Sequence, residues 1–417
     1  MKILLVHNFY GSSAPSGENT AYLAERELLK GHGHEILEFT RHSDEIRENG
    51  LSGVLRGAFS TPWNPFCARG IRRVLERERP DIMHVHNTFP LLSPAVFCAA
   101  RGLNTATVLT LHNYRIFCAA GIPMRNSIPC VECLEKDSVV PAMKYGCYRN
   151  SRLATVPMAA MISLHKRLGT WKRDVDTFIA LTEFQKRKMA DGGLPEERMY
   201  IKPHFYPDPP APIPWKDREA RIIFVGRLGL EKGVHVLVDA WQKWGHSAPI
   251  LEIIGDGPQR AELEKMVDKA NLNRKIHFRG QIPFSQTQKK MARARLLVLP
   301  SLWFEGFPMV IREAFALSVP VAGSRIGSLP DIIAENKTGR LFSPGDPTNL
   351  LQVVKGLWED PENLAVMAKR VHDEFEQKYT DSVNHKALMK IYDNAIGARN
   401  RLVSHTKHPI ETTRPFK

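Results

Sequence analysis

Short apolar runs alternate with longer stretches of amphipathic spacing along most of the chain, and this alternation predicts helices that cross parallel β-sheets. The stretch TAYLAERELLKGHGH has helical spacing, ends in glycines and lies between two strand-like runs. In the first half these runs are KILLVHNFY, EILEFT, DIMHVHN (81–87), ATVLTLHN (106–113) and TFIALT (177–182). The last three end in Asn or Thr, which places polar side chains where α/β sheets bind ligands.

A proline-rich segment interrupts the alternation near the middle of the chain. Residues 203–215, PHFYPDPPAPIPW, hold six prolines in thirteen positions, a density that neither a helix nor a central strand tolerates. The strand-like runs then resume as ARIIFVGR (220–227), ILEIIGDG (250–257), KIHFRG (275–280), ARLLVLPS (294–301) and VPVAGS (319–324). The pattern therefore predicts two doubly wound α/β domains joined by a proline hinge.

The chain has 417 residues, too many for one ordinary core, which agrees with two domains. We expect the first domain to include a cysteine-rich insertion over 118–147. The predicted boundaries are 1–205 for the first domain, 206–216 for the linker, 217–378 for the second domain, 379–403 for a closing helix and 404–417 for a disordered tail.

Composition narrows the class of protein. No apolar run is long enough for a transmembrane helix, and the N-terminus lacks the long apolar core of a signal peptide, so we expect a cytoplasmic protein. The formal net charge of +14 suits nucleic acid, an anionic membrane surface or phosphorylated ligands. No zinc-finger or RNP-type signature is present, which argues against nucleic acid as a partner.

Four of the six cysteines lie within thirty residues, and two of them form the CxxC pair Cys130-Val-Glu-Cys133. Thiolates hold Zn²⁺ well, and a CxxC gap lets two thiolates bind one ion. The sequence therefore suggests a structural Zn²⁺ site, with free thiols in a surface loop as the alternative. Its ligands would be Cys118, Cys130, Cys133 and Cys147. Cys67 and Cys98 stand alone in apolar surroundings and are expected in the core.

Two strand-to-helix turns of the second half suit a nucleotide. In VGRLGLEKGV (225–234), Arg227 and Lys232 flank a turn that contains Gly229, an arrangement suited to a diphosphate. In GDGPQR, Gly255 permits a close backbone approach to a base or ribose. The alternative for both is an ordinary solvated turn. Neither turn is GxGxxG, which disfavours a dehydrogenase.

The segment FEGFPMVIRE (304–313) places two carboxylates around a predicted helix start near Phe307. The free N–H groups and dipole of a helix N-terminus attract a phosphate. Glu305 precedes the helix and Glu313 lies on it, so loop and helix together can aim both carboxylates into one cleft. Carboxylates accept hydrogen bonds from sugar and ribose hydroxyls.

Glu305 to Glu313, read as E-x7-E, resembles the signature of the retaining glycosyltransferases of family 4, which have the GT-B fold. GRLGLEKGV, GDGP and ENKTGRLFSPGD (335–346) resemble the accompanying motifs in the expected order. In the N-terminal half the resemblance is looser and depends on SGEN, HVHN and LTLHNYR. It implies two Rossmann-like domains that face each other across a cleft, the first for the acceptor and the second for a nucleotide-sugar donor.

The resemblance also implies a role for each matching residue. Arg227 and Lys232 would hold the donor diphosphate, Glu313 the ribose and Glu305 the donor sugar. Sugar and phosphate would lie against the backbone of Gly306, Phe307 and Met309. In the first domain, Gly17 would approach the phosphates, His112 would lie beside the reacting carbon, and His86 is a weaker candidate. For either histidine taken without the family, a structural role is the better interpretation.

The chain departs from the family pattern at two positions: Ser16 replaces a glycine that often precedes Gly17, and Pro203-His204 replaces a common Pro-Asn. The first departure bears on the phosphate contact at Gly17, and the second mainly on the hinge.

Retention in this fold is usually assigned to same-face attack, with the leaving phosphate taking the acceptor's proton. Cations stabilise the leaving group, so no catalytic metal or other cofactor is expected.

The sequence thus predicts sugar transfer from a UDP- or GDP-linked donor to a saccharide or lipid-linked saccharide, in surface polysaccharide or glycolipid synthesis. The alternatives are a non-catalytic nucleotide-sugar-binding protein and a same-fold transferase with a small-molecule or sugar-phosphate acceptor.

Residues 150–176 mix basic and apolar side chains with Trp171. They suggest peripheral binding to the anionic inner face of the plasma membrane, and the alternative is a solvated helix face. The basic residues are Arg152, Lys166, Arg167, Lys172 and Arg173.

Overall fold

The computed structural model describes residues 1–12 and 16–407, with the side chains of 402–407 left out. Within these residues the strands form two six-stranded parallel sheets and one antiparallel hairpin. The strands are β1 (Lys2–Phe9), β2 (Glu35–His42), β3 (Ile82–Asn87), β4 (Ala106–Thr110), β5 (Met124–Arg125), β6 (Ile128–Pro129), β7 (Thr177–Ala180), β8 (Met199–Ile201), β9 (Arg221–Val225), β10 (Ile250–Ile254), β11 (Ile276–Gly280), β12 (Leu296–Leu299), β13 (Val321–Ser324) and β14 (Gly339–Phe342).

Helices cover both faces of each sheet and connect its strands. In chain order they are α1 (Gly17–Gly31), α2 (Asp44–Glu48), α3 (Gly50–Ser60), α4 (Pro65–Glu78), α5 (Glu132–Glu135), α6 (Val140–Tyr145), α7 (Arg152–Arg167), α8 (Thr170–Arg173), α9 (Glu183–Asp191), α10 (Val234–Trp244), α11 (Arg260–Lys269), α12 (Phe284–Arg293), α13 (Met309–Ala316), α14 (Leu329–Ile332), α15 (Pro347–Trp358), α16 (Pro361–Lys378) and α17 (Asp381–Lys407).

The strand order confirms the predicted pair of Rossmann-like domains. The first sheet runs β2-β1-β3-β4-β7-β8, and the second runs β11-β10-β9-β12-β13-β14. The second order is that of a dinucleotide-binding fold, in which the sheet grows in both directions from its first strand. The edge strands β8 and β14 were not predicted, because β8 has only three residues and Arg340 interrupts the apolar residues of β14.

Alternate residues of the central strands pack into opposite cores. Ile3 and Leu5 face one core of the first sheet, and Leu4 and Val6 face the other. Burial on both faces explains why the strands read as continuous apolar runs. The C-terminal helix α17 packs on the first sheet, where Tyr392 and its apolar neighbours join the core with Ile3. The chain therefore returns to its N-terminal domain after completing the second.

Three boundaries differ from the sequence interpretation. Gly17 is the first residue of α1 instead of a loop residue, because the Ser16 side chain caps the first turn. The helix expected near Phe307 begins at Met309. Helix α17 extends to Lys407, so the first residues of the predicted tail are helical, and 408–417 lie outside the described residues.

Among the helices that the structure describes, none combines the length and apolar character needed to span a membrane.

Candidate active site

The loops that carry the predicted donor residues meet at the point where the second sheet changes its direction of growth. β10 lies on one side of β9 and β12 on the other, so the loops after β9 and β12 diverge and open a crevice. The loop after β9 carries Arg227 and Lys232, and the loop after β12 carries Glu305. The topology therefore gathers three candidate residues from distant parts of the sequence.

Lys232 and Glu305 are in direct contact. The buried Glu305 accepts hydrogen bonds at Oε1 from Lys232 Nζ at 2.6 Å and from Ser301 Oγ at 2.8 Å. These partners offset the cost of removing a carboxylate from water. The two loops lie so close that a Cβ at Gly233, where φ is +64°, would be 2.0 Å from the Pro300 carbonyl oxygen.

Arg227 is exposed and makes no ion pair or hydrogen bond within the described ranges. The loop after β10 lies against Gly226, the residue before Arg227. Gly255 has φ of +134°, and a Cβ there would be 1.9 Å from the Gly226 carbonyl oxygen. Glycine is required at this close approach, which keeps the two loops together beside a guanidinium that can bind an anion.

Glu313 is buried on α13, with Arg312 Nη2 4.0 Å from its Oε1. Burial raises the pKa of Glu313, and the charge of Arg312 opposes this shift. Burial also lowers the pKa of Arg312 to about 10, and its Nε and Nη1 have no hydrogen-bond partner among the described residues. Within the residues that the structure describes, Glu313 and Glu305 are not joined by a direct hydrogen bond.

The loop before α13 lies between the two domains. A Cβ at Gly306 would be 3.4 Å from the carbonyl oxygen of His112, which follows β4. The Tyr114 hydroxyl lies 3.4 Å from the Glu305 carbonyl oxygen and donates to it. The carboxyl ends of both sheets therefore meet at the Glu305–Gly306 step.

The start of α1 faces the same helix from the first domain. A Cβ at Gly17 would lie 3.5 Å from Met309 Cγ, which is ordinary van der Waals contact. Gly17 and Met309 are both predicted donor-binding residues, and they face each other across the cleft.

His112 lies in the middle of a row of aromatic rings, with His204 and Phe307 on one side and His86 on the other. The His112 ring stacks on His204 with centroids 5.2 Å apart, and His204 packs edge-on against Phe307 at 5.9 Å. On its other side, His112 Nε2 lies 3.1 Å from His86 Nδ1. The sequence interpretation assigned His204 to the hinge, but the structure places it in this row.

A buried carboxylate of α1 lies behind the row. Glu25 Oε2 accepts a hydrogen bond from Lys202 Nζ at 2.7 Å, and Glu25 Oε1 lies 3.2 Å from His86 Nε2. Glu25 Oε1 and His86 Nε2 make no hydrogen bond among the described residues, but the nearby carboxylate charge favours a proton on His86 Nε2, and His86 Nδ1 then accepts from His112 Nε2. His112 Nδ1 is then an acceptor, and it is buried without a partner in the described part of the chain.

Comparison with known families decides the class of the protein. The family model described as Glycosyltransferase Family 4 matches residues 17–206, and the one described as Glycosyl transferases group 1 matches residues 208–373. The chain belongs to the group 1 glycosyltransferases of family 4. The predicted family and GT-B fold are therefore confirmed.

Individual relatives of this glycosyltransferase are distant. It is 22% identical over 339 residues to the phosphatidylinositol N-acetylglucosaminyltransferase gpi3 subunit of Schizosaccharomyces pombe, covering 81% of this chain and 66% of the relative. It is 28% identical over 295 residues to the 2-deoxystreptamine glucosyltransferase of Streptomyces kanamyceticus, covering 69% of this chain and 70% of the relative. These names support the predicted transferase activity.

A solved structure shares the fold of the glycosyltransferase. Anabaena Alr3699/HepE, crystallised in complex with UDP-glucose, superposes with a TM-score of 0.62 at 18% identity. The superposition covers 94% of this chain and 100% of the other.

Burial keeps His112 of the glycosyltransferase neutral. Burial, followed by the nearby His204 and His86, holds the pKa of His112 well below its usual value. Burial alone would raise the pKa of Glu25, but the charge of Lys202 contributes most to outweighing it and holding that pKa well below the usual range.

Glu25, His84 and His86 also have the geometry of a metal cluster, because one ligand atom of each lies within 4.8 Å of the others. The Lys202 ammonium already neutralises Glu25, so we interpret this cluster as a charge pair within a hydrogen-bonded network.

Sequence reasoning missed several residues of this network. Glu25 is a charged residue on the apolar face of α1, between Tyr22 and Leu29, and that mismatch was an available signal. Glu18 was missed as well: its Oε1 accepts from Asn113 Nδ2 at 2.9 Å, and burial raises its pKa. Nothing local marks Lys202 as the partner of Glu25, because the two are far apart in sequence.

Proposed function

We propose that this glycosyltransferase moves a sugar from a nucleotide-sugar donor to a saccharide or lipid-linked saccharide acceptor, with retention at the anomeric carbon. One observation carries the proposal. The Lys232–Glu305 pair at the crevice of the second sheet adjoins the His112 segment of the first sheet through the Glu305–Gly306 step. A donor bound along the crevice would thus present its sugar to the other domain.

The donor would lie with its diphosphate at Arg227, Lys232 and the start of α13. The complexes of HepE with UDP and with UDP-glucose support a uridine nucleotide as the donor that we propose for this chain. Glu305 would accept hydrogen bonds from the donor sugar, and Glu313 from the ribose. Lys232 already pairs with Glu305, so it would bridge the sugar-binding carboxylate and the phosphate when the donor binds.

The chemical step breaks the bond between the anomeric carbon and the phosphate oxygen. Negative charge grows on the leaving diphosphate, where Arg227, Lys232 and the N–H groups of α13 would stabilise it. The acceptor hydroxyl would attack from the same face and pass its proton to the leaving phosphate. In this scheme the two glutamates bind the donor and neither forms a covalent intermediate.

His112 would accept a hydrogen bond from a sugar hydroxyl through Nδ1. Its neutral state and the hydrogen bond of Nε2 to His86 leave this nitrogen as an acceptor only. Glu18, whose Oε2 has no partner in the described residues, offers a second acceptor in the first domain. The acceptor substrate would lie on this side of the cleft.

A lipid-linked acceptor agrees with an exposed apolar face on α3. Leu51, Val54, Leu55 and Phe59 recur at helical spacing, and Phe59 is 78% exposed. Arg56 of the same helix is exposed too. The face would rest on an anionic membrane, such as the inner face of a plasma membrane, and the product would enter a surface polysaccharide or glycolipid.

The region predicted for membrane contact contributes basic side chains. Its five predicted cations are all exposed. Trp171 does not share that surface: it packs against Phe97, with ring centroids 6.1 Å apart, and belongs to the edge of the core.

The test is a thermal-shift screen of the full chain with UDP, GDP and their sugar conjugates. A bound nucleotide raises Tm by mass action, by an amount that grows with ligand concentration. We expect UDP and a UDP-sugar to raise Tm, and Glu313→Ala to shift the half-maximal concentration upwards about tenfold, because it removes a ribose contact. Glu262→Ala, at an exposed site on α11, is the control. Absence of a shift with every nucleotide would overturn the donor site.

A further inference from the structure

The four clustered cysteines line one small cavity in the insertion of the first domain. The cavity has a volume of about 20 Å³, and its lining includes Cys118, Cys130, Cys133 and Cys147. All four are free thiols and partly buried. One water needs about 10–15 Å³ by the same kind of measure, so the space suits a single small ion.

The thiols come from separate short elements. Cys118 lies in the loop after β4, Cys130 follows β6, Cys133 lies on α5 and Cys147 follows α6. Backbone hydrogen bonds hold two of these segments: Gly121 N–H donates to the Cys118 carbonyl oxygen, and Cys130 N–H donates to the Pro123 carbonyl oxygen, both at 2.9 Å.

The insertion has little else to hold it together. Its hairpin strands β5 and β6 have two residues each, and α5 and α6 have four and six. The backbone is left-handed at Asn126, Ser127 and Asp137. A segment with so little regular structure contributes only a few side chains, such as Ala119 and Ala142, to the neighbouring cores, and small modules of this kind gain stability from a cross-link or a metal.

We propose that Cys118, Cys130, Cys133 and Cys147 bind one structural Zn²⁺ as four thiolates. The ion replaces the four thiol protons, which leave to solvent. The cavity volume favours a single ion over an iron–sulfur cluster. As the chain stands, no three of these sulfurs lie within 4.8 Å of one another, so binding would draw them inward through side-chain rotation.

The site would brace the segment that follows His112. Tyr114 donates from its backbone to Gly121, and Cys118 donates from its backbone to Tyr114, at 3.2 and 2.9 Å. The hydroxyl of the same Tyr114 reaches the Glu305 carbonyl oxygen. Zinc at Cys118 would therefore stabilise the wall of the active-site cleft without touching a substrate.

Metal analysis of the purified full chain tests the proposal. We expect about one Zn²⁺ per chain by mass spectrometry, and at least a fivefold loss of zinc in Cys130→Ser and in Cys133→Ser. Cys98→Ser is the matched control, because Cys98 lies outside the cluster and contacts Asp174. This control should keep its zinc. Chain reconstituted with Co²⁺ should show the visible absorption of tetrahedral thiolate-bound cobalt.

A wild-type assay covers the case in which the serine variants do not fold. Titration with a thiol-binding organomercurial should release zinc to a colorimetric chelator, in step with four reactive thiols. Four titratable thiols without zinc, disulfides within the cluster, or iron with cluster absorption would each overturn the proposal. Metal content does not depend on nucleotide binding, so this result is separate from that of the donor screen.

Discussion

At the scale of single residues, the arrangement around His112 defines a hydrogen-bond acceptor. Glu25 is anionic, His86 lies between it and His112, and the order of donors leaves His112 Nδ1 with a lone pair. A neutral imidazole can be fixed in one tautomer only by the partner of its other nitrogen. His86 is therefore a positioning residue, and its effect on transfer would act through His112.

We expect His86→Leu to lower kcat on the order of tenfold or more with little change in donor KM, because the tautomer of His112 is no longer fixed. His86→Asn keeps a polar group near the position of Nδ1 and should recover part of the loss. Steady-state kinetics of both variants make the comparison. Equal losses in the two variants, or a change confined to donor KM, would contradict a positioning role.

At the scale of elements, the candidate site residues lie in loops and near helix ends, and the strands position those loops. The loops after β9 and β12 supply the Lys232–Glu305 pair, while α13 supplies Glu313. Helix α3 stands apart from this machinery, since its outer face is apolar and exposed. Exposed apolar patches of this kind mark interaction surfaces.

The face of α3 predicts binding to anionic vesicles. Leu55→Ser with Phe59→Ser should weaken co-sedimentation with phosphatidylglycerol vesicles roughly tenfold or more, since two side chains no longer enter the lipid. Val366→Ser, at an exposed apolar residue of α16, is the matched control and should bind like wild type. If the double variant binds as tightly as that control, α3 is not the membrane surface.

At the scale of the whole molecule, α17 joins the end of the chain to the first domain. Tyr392 of this helix lies 2.8 Å from His84, and Arg399 forms an ion pair with Asp176 at 2.7 Å. His84 belongs to the same buried network as Glu25. The packing of α17 on the first domain therefore includes a buried histidine, and the stability of this contact should depend on the charge of that histidine.

Buried histidines predict acid lability. Burial lowers the pKa of His84 to about 4 and that of His7 to about 3, against an ordinary value near 6.5. Below about pH 6.5 the unfolded chain binds protons that the folded chain does not, so stability present above this pH is lost as the pH falls towards 4.

Thermal denaturation between pH 7.5 and 5 measures this loss. We expect Tm to fall with pH in the wild type and to fall less steeply in His84→Gln, which has one histidine fewer to protonate. His246→Gln, at an exposed histidine, should follow the wild-type slope. A Tm independent of pH over this range would show that the network is not neutral in the folded chain.

The sequence by itself determined most strands of the two large sheets, the pair of α/β domains and the family resemblance. Apolar runs predict the strands, and the stretches of helical spacing between them predict the helices. The central strands are easy to identify because both faces of each sheet are buried, which makes the strands continuous apolar runs. Arg227, Lys232, Glu305 and Glu313 could be selected from local motifs, since each motif combines a turn with a suitable charge. The edge strands β8 and β14 and the C-terminal end of α17 could not be predicted, because few apolar residues mark them in the sequence.

Only the tertiary structure decided which side chains meet. The Lys232–Glu305 contact, the His86–His112–His204 row and the Glu25–Lys202 pair each join residues from separate elements. Such contacts depend on strand order and domain packing, which local sequence does not encode residue by residue. The same holds for the four cysteines: their sequence spacing suggested a site, and the fold placed them around one cavity.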